Sequence, residues 1–79
     1  MQVVLYSRPG CHLCDLARDA LIAERARTPF DLEEISIEGD DALELDYGIR
    51  IPVVEVDGVE AFEVEVDAEE LARLLRDRA

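Results

Sequence analysis

Apolar and polar positions alternate along this chain in runs short enough to mark individual elements. Gln2–Tyr6 reads QVVLY, a β-branched and aromatic-rich run that predicts a buried strand. Ser7–Gly10 holds Arg-Pro-Gly and predicts a loop. From His12 to about Arg27 the apolar residues Leu13, Leu16, Ala17, Ala20 and Leu21 recur at three and four, which predicts one face of a helix. Arg25 and Arg27 suit the negative end of that helix dipole, and Thr28-Pro29 stops it. Phe30–Ile37, FDLEEISI, predicts a second strand in which Phe30 and Leu32 alternate with acids. Its phase shifts near Glu33-Glu34, where a bulge is expected.

Gly39-Asp40-Asp41 opens a short helix through about Tyr47, with Gly48 as the residue just past its end. Pro52–Val56, PVVEV, and Val59–Val64, VEAFEV, are two further strands, joined by Asp57-Gly58, a strong two-residue hairpin signal. Asp67 and Glu70 have capping-box spacing ahead of Leu71, Leu74 and Leu75, one face of a last helix. The order is β-α-β-α-β-β-α. The first β-α-β unit should be a right-handed parallel crossover and the last two strands an antiparallel hairpin. The expected fold is α/β, one four-stranded mixed sheet flanked by helices. Residues 1–79 read as a single domain, with no repeat or low-complexity tract.

Composition adds limits. A 79-residue chain has a thin core. No apolar run approaches the ~18 residues of a membrane span, and Met1–Tyr6 is too short for a secretory signal. A cytoplasmic protein without a membrane partner is therefore expected. Formal net charge is −12, and every basic residue is an arginine. That balance argues against nucleic acid, whose phosphates would be repelled. Charge is also uneven: residues 1–29 set four arginines against three acids, whereas residues 30–79 set four against seventeen. An acidic surface of this kind keeps small proteins soluble, and it also fits selection of a basic protein partner.

The candidate chemistry lies in SRPGCHLCDLA, which holds both cysteines and the single histidine. Two cysteines are too few for a disulfide scaffold or for a zinc site within one chain. They form Cys-x-x-Cys at the junction of the first strand and first helix. Helix-start N–H groups lack partners and carry partial positive charge, so a sulfur at Cys11 is expected to be favoured as thiolate. Cys14 lies one turn on, within disulfide reach. Cys11 then attacks and Cys14 resolves. Arg8 offers positive charge beside the thiolate, or a contact for an acidic group on a substrate. His12, if protonated, would depress the Cys11 pKa further; otherwise it is an exposed helix-start residue.

LYSRPGCHLC resembles the active-site segment of glutaredoxins, Tyr-(Ser/Thr)-(Lys/Arg)-Pro-x-Cys-x-x-Cys, and YGIRIPVVEVDG resembles the segment around the cis-proline of the thioredoxin superfamily. The resemblance covers nearly the whole chain and is closest to small glutaredoxin-like proteins. It implies a thioredoxin-like fold, Cys11 as nucleophile, Cys14 as resolving cysteine, and Tyr6 and Arg8 flanking the site. It also implies a cis Ile51-Pro52 bond whose Ile51 backbone receives substrate by strand addition. Where glutathione-dependent members carry Gly-Gly, this chain reads AFEVEVDAEEL, with Glu63 and Glu65 near the place of an anionic ligand. Weak or no glutathione binding is expected.

The reading is therefore a cofactor-free, metal-free thiol–disulfide oxidoreductase. It is expected to act as a monomer on a disulfide-containing protein or small-molecule thiol. The alternatives are a redox-sensing or protein-binding module on the same scaffold, and a dimer sharing a metal or iron–sulfur cluster through Cys11.

Overall fold

Alternation along the first strand decides which face of the sheet becomes the core. In the computed structural model, which describes residues 1–78, β1 is Gln2–Ser7 and buries Val3, Leu5 and Ser7 on one face. The chain continues through α1 (His12–Arg25), β2 (Asp31–Ser36), α2 (Asp41–Tyr47), β3 (Val53–Val56), β4 (Val59–Glu63) and α3 (Ala68–Arg78). The sheet order is β2-β1-β3-β4. β1 and β2 are parallel, and the β1–β3 and β3–β4 pairs are antiparallel. This is the expected β-α-β-α-β-β-α arrangement with a mixed four-stranded sheet.

One face of the sheet carries Val3, Leu5, Val54 and Val56, covered by Ala17 and Leu21 of α1 and Leu71 and Leu75 of α3. These residues are at most 2% exposed, so each large side chain among them contributes roughly 1.5–3 kcal/mol of burial. α1 and α3 lie side by side on this face, where Arg76 pairs at 3.5 Å with the buried Glu24. The opposite face presents Tyr6 and Glu55, and α2 reaches them through Tyr47. No helix among the described residues is long and apolar enough to cross a membrane.

Local signals at the element ends act as their chemistry dictates. Asp40 Oδ1 accepts from the Leu43 N–H at 3.1 Å and caps α2; Asp67 Oδ1 accepts from the Glu70 N–H at 3.0 Å and caps α3. Asp57 and Gly58 both have positive φ (50° and 84°), the pattern of a type I′ hairpin turn.

Four details differ from the sequence expectation. The second strand has no bulge: β2 pairs with β1 residue for residue from Gln2↔Asp31 to Ser7↔Ser36, and the register shift lies instead between Val54 and Glu55 where β3 meets β4. The apparent change of phase arises because Leu32 and Glu34 share the core side of an edge strand, with Leu32 joining the core and Glu34 meeting an arginine of α1. On α1 the core-facing stripe is Cys14, Ala17, Leu21 and Glu24, while Leu16 is 51% exposed and Leu13 also lies at the surface. α1 ends at Arg25, two residues early, because the Glu24 carbonyl takes the N–H groups of Ala26, Arg27 and Thr28 in a tight turn. Gly48 has φ −52° and ψ −39°, so it does not close α2 in the left-handed conformation. Glycine is needed there for space: a Cβ would collide with the Glu44 carbonyl oxygen.

Candidate active site

The loop after β1 and the first turn of α1 place the two cysteines. Gly10, at φ 78°, takes the left-handed conformation that side chains disfavour. The Cys11 N–H donates to the Arg8 carbonyl at 3.3 Å, closing the turn over Pro9-Gly10. Cys11 is then the N-cap of α1 (φ −92°, ψ 110°), and its Sγ accepts from the Cys14 N–H at 3.2 Å. A sulfur thus does the work that Ser or Asp does at most helix starts.

The two cysteines are not bonded to each other and differ in surroundings. Cys11 is half-buried, and Cys14 is wholly buried beneath it. Burial first, then a hydrogen bond with the Cys11 side chain, pushes the Cys14 thiol up to about 11; the Arg8 main chain and the charge of Arg18 pull the other way. Cys14 is therefore held as a thiol at neutral pH.

Beside the pair stands a polar cluster that sequence reasoning missed. Arg18, one turn beyond Cys14, donates from Nε and Nη2 to Glu34 of β2 (2.7 and 2.5 Å) and from Nη1 to Asp15 (2.8 Å). Glu34 also accepts from the hydroxyl of buried Ser7 at 2.6 Å. Arg18 first, with Ser7 assisting, holds the Glu34 carboxyl below the usual range, and Glu34 and Asp15 raise the Arg18 guanidinium. This cluster ties α1 to β1 and β2 immediately next to the dithiol. The available signals were the four-residue spacing of Arg18 from Cys14 and the position of Glu34 in phase with Leu32.

The residues expected to flank the site are placed as follows. Tyr6 lies on the α2 side of the sheet and stacks on Tyr47, with ring centroids 4.2 Å apart and planes 16° apart. Tyr47 donates to Glu55 at 3.3 Å and carries Arg50 over its ring at 5.3 Å, and burial pushes its hydroxyl up to about 12. The Arg8 guanidinium pairs with Glu44 of α2 at 3.4 Å rather than standing free beside Cys11. His12 is the exposed first residue of α1. The Ile51-Pro52 bond is cis, with Pro52 buried and Ile51 half-buried. The Val64 N–H donates to the carbonyls of Arg50 (2.9 Å) and Pro52 (3.0 Å), and among the described residues no backbone hydrogen bond engages Ile51 between them.

Leu13, the residue between His12 and Cys14, opens onto a groove of about 330 Å³ that runs to the start of α3. Leu16, Phe62 and Val66 line it together with Glu65, Asp67 and Glu70. Among the described residues no group of three or more His, Cys, Asp or Glu side chains is arranged to hold a metal ion.

A four-stranded β-α-β-α-β-β-α sheet with a Cys-x-x-Cys pair at the start of the first helix is a thioredoxin-like fold. Thioredoxin 1 of Thermosipho africanus shares the fold, with a TM-score of 0.71 at 12% identity over 99% of this chain and 93% of that one. Residues 2–76 match the family described as "Glutaredoxin-like domain (DUF836)", and the chain belongs to that family. The Xanthomonas campestris protein XcR50 is similar in structure, with a TM-score of 0.81 and 36% identity over 98% of this chain and 97% of that one. The uncharacterized protein Rv0508 of Mycobacterium tuberculosis is 33% identical over 75 residues, which cover 89% of this chain and 77% of the relative.

Proposed function

We propose that the chain is a thiol–disulfide oxidoreductase. The observation that carries this reading is the asymmetry of the pair. Cys11 is accessible and caps a helix, while Cys14 is buried one turn beneath it and kept as a thiol.

In the proposed reaction the Cys11 sulfur, as thiolate, attacks one sulfur of a substrate disulfide. A Cys11–substrate disulfide forms, and the other substrate sulfur leaves as a thiolate that takes up a proton. Cys14 then gives up its proton and attacks Cys11 Sγ. The second substrate thiol departs, and a Cys11–Cys14 disulfide remains. The substrate gains two electrons and the chain loses two, which an external dithiol must restore.

An extended substrate backbone lies along Ile51 and Pro52, supported by the unengaged backbone of Ile51. Tyr6 and Arg8 act from the α2 side, and His12 tunes the site. The substrates are disulfides of a protein or of a small molecule, and a small-molecule thiol is their reduced product. The protein works as a cytoplasmic monomer and binds glutathione weakly or not at all, a reading supported by the acidic residues after β4.

The test is single-turnover reduction of hydroxyethyl disulfide, a small neutral disulfide, by the reduced chain, with mass measurement of the product. The expected result is reduction together with loss of two hydrogens from the chain. Cys11→Ser should remove the reaction, and Cys14→Ser should stop it at the mixed disulfide. Full activity in Cys11→Ser would refute the reading.

A second reading, a redox-sensing module that binds a basic protein, is favoured by the acidity of residues 30–79. It predicts oxidation of the pair without turnover and a partner lost at high salt.

A further inference from the structure

The groove that Leu13 shares with the start of α3 combines apolar walls with carboxylates that, among the described residues, no arginine pairs. Leu13, Leu16, Phe62 and Val66 supply the apolar surface, with Leu16 51% exposed. An exposed leucine on a helix is ordinary by itself; here it continues into partly buried Phe62 and Val66 across a concave surface. Glu65, Asp67 and Glu70 stand on the same groove, and among the described residues no arginine pairs with any of them. Five arginines pair elsewhere: Arg8 with Glu44, Arg18 with Asp15 and Glu34, Arg50 with Glu60 and Glu63, Arg76 with Glu24, and Arg78 with Asp57. Arg73 lines the neighbouring concavity with Glu70 but makes no ion pair with it.

The start of α3 points to the sign of the occupant. A helix N-terminus ordinarily attracts an anion. Here Asp67 Oδ1 already accepts from the Glu70 N–H at 3.0 Å, and Glu69 and Glu70 add negative charge in the first turn. The dipole is satisfied from within, so an incoming carboxylate meets like charge while a cation meets carboxylates with free lone pairs.

We infer that this groove is the docking surface for the protein substrate, and that it selects a segment with an apolar side chain and a lysine or arginine adjacent to its reactive cysteine. The inference rests on the oxidoreductase reading above and adds the substrate class. Its geometry follows from Leu13, which belongs both to the stretch between Cys11 and Cys14 and to the groove wall. A substrate sulfur at Cys11 brings its neighbouring residues over Leu13. The apolar one sits against Leu16 and Phe62, and the basic one reaches Glu65 and Glu70.

The test uses three short peptides, each with one cysteine capped as a mixed disulfide with neutral 2-mercaptoethanol. One flanks the cysteine with leucine and arginine, one with leucine and glutamate, and one with serine only. Second-order rates of reduction by the reduced wild-type chain are measured at low and at ~1 M ionic strength, alongside hydroxyethyl disulfide. The arginine peptide is expected to react about tenfold faster than the glutamate peptide at low salt, with the ratio falling toward one at ~1 M. In Glu65→Gln/Glu70→Gln the low-salt ratio is expected to fall several-fold. In Leu16→Gln the leucine–arginine peptide is expected to lose its advantage over the serine peptide.

Equal wild-type rates for the arginine and glutamate peptides at low salt, with hydroxyethyl disulfide still reduced, overturn the docking surface and leave the oxidoreductase reading standing. A charge preference that survives unchanged in the double variant overturns the assignment to this groove. Failure to reduce hydroxyethyl disulfide overturns the oxidoreductase reading, and the docking inference with it. The wild-type comparison needs no substitution, so it holds even if a variant does not fold.

Discussion

Iodoacetamide added to the reduced chain at pH 7 is expected to modify Cys11 and spare Cys14. Alkylation proceeds through the thiolate, so its rate follows the thiolate fraction and the access of reagent to sulfur. Burial, assisted by the hydrogen bond with Cys11, pushes the Cys14 thiol up to about 11 from an ordinary 9.0. At pH 7 that leaves a thiolate fraction of ~10⁻⁴, against ~10⁻² for an unperturbed thiol, a hundredfold difference before access is considered. Access widens the gap, because Cys14 is 0% exposed. Peptide mapping by mass spectrometry over a time course reads both sites separately. A second modification should appear only as pH approaches 11 or when urea opens the fold.

The same group makes stability pH-dependent. Its folded pKa lies above the unfolded value, so the folded state keeps a proton that the unfolded chain releases. The stability is intact below pH 9 and declines as pH rises toward about 11, by ~1.4 kcal/mol per pH unit in that window. Urea unfolding of the reduced wild type against Cys14→Ala, from pH 7 to 11, isolates this contribution. Comparable alkylation of both cysteines at pH 7, or a stability difference that stays flat from pH 9 to 11, would refute the reasoning from burial.

Four further outcomes are expected. Leu71→Ala, which opens a cavity where α3 meets the core, should cost about 2–5 kcal/mol by urea unfolding, a large share of the stability of so small a domain. Glu34→Gln should flatten the loss of stability as pH falls below the ordinary carboxylate value of 4.5. The wild-type carboxyl is held down by Arg18, and its contribution is present above that pH and lost as it becomes protonated. Gly48→Ala should destabilise by about 1 kcal/mol or more in thermal melts, because its Cβ meets the Glu44 carbonyl. Asp67→Ala should cost about 1 kcal/mol by removing the α3 cap, with the Glu70 amide exchanging faster in hydrogen-exchange measurements.

Much of the site was legible because it is written locally. A cysteine pair spaced by one helical turn, directly after a loop with Pro9-Gly10, needs only helix geometry to bring Cys14 beneath Cys11. Asp57-Gly58 and the Asp40 and Asp67 caps are equally short-range. Arg18 and Glu34 were not legible in the same way. They lie sixteen residues apart and meet only because β2 pairs parallel to β1 beneath α1. The ring of Tyr6 stacks on Tyr47, forty-one positions on, a contact that depends on α2 crossing the opposite face. Leu16 fits the apolar spacing of α1 as well as Ala17 does. Helical periodicity alone cannot say that Cys14 and Glu24 hold the buried stripe while Leu16 faces a groove.

The amino-acid sequence by itself determined the order of elements, the sign of the charge, the cysteine pair at the start of the first helix, the Asp57-Gly58 turn and the Asp40 and Asp67 caps. These depend on backbone conformation and on neighbours within a turn. Tertiary structure decided which sulfur is buried and which arginines and carboxylates pair. Those properties are set by distance and by the loss of water, and only the packing of α1 and α3 on the sheet brings the groups together and removes the solvent between them.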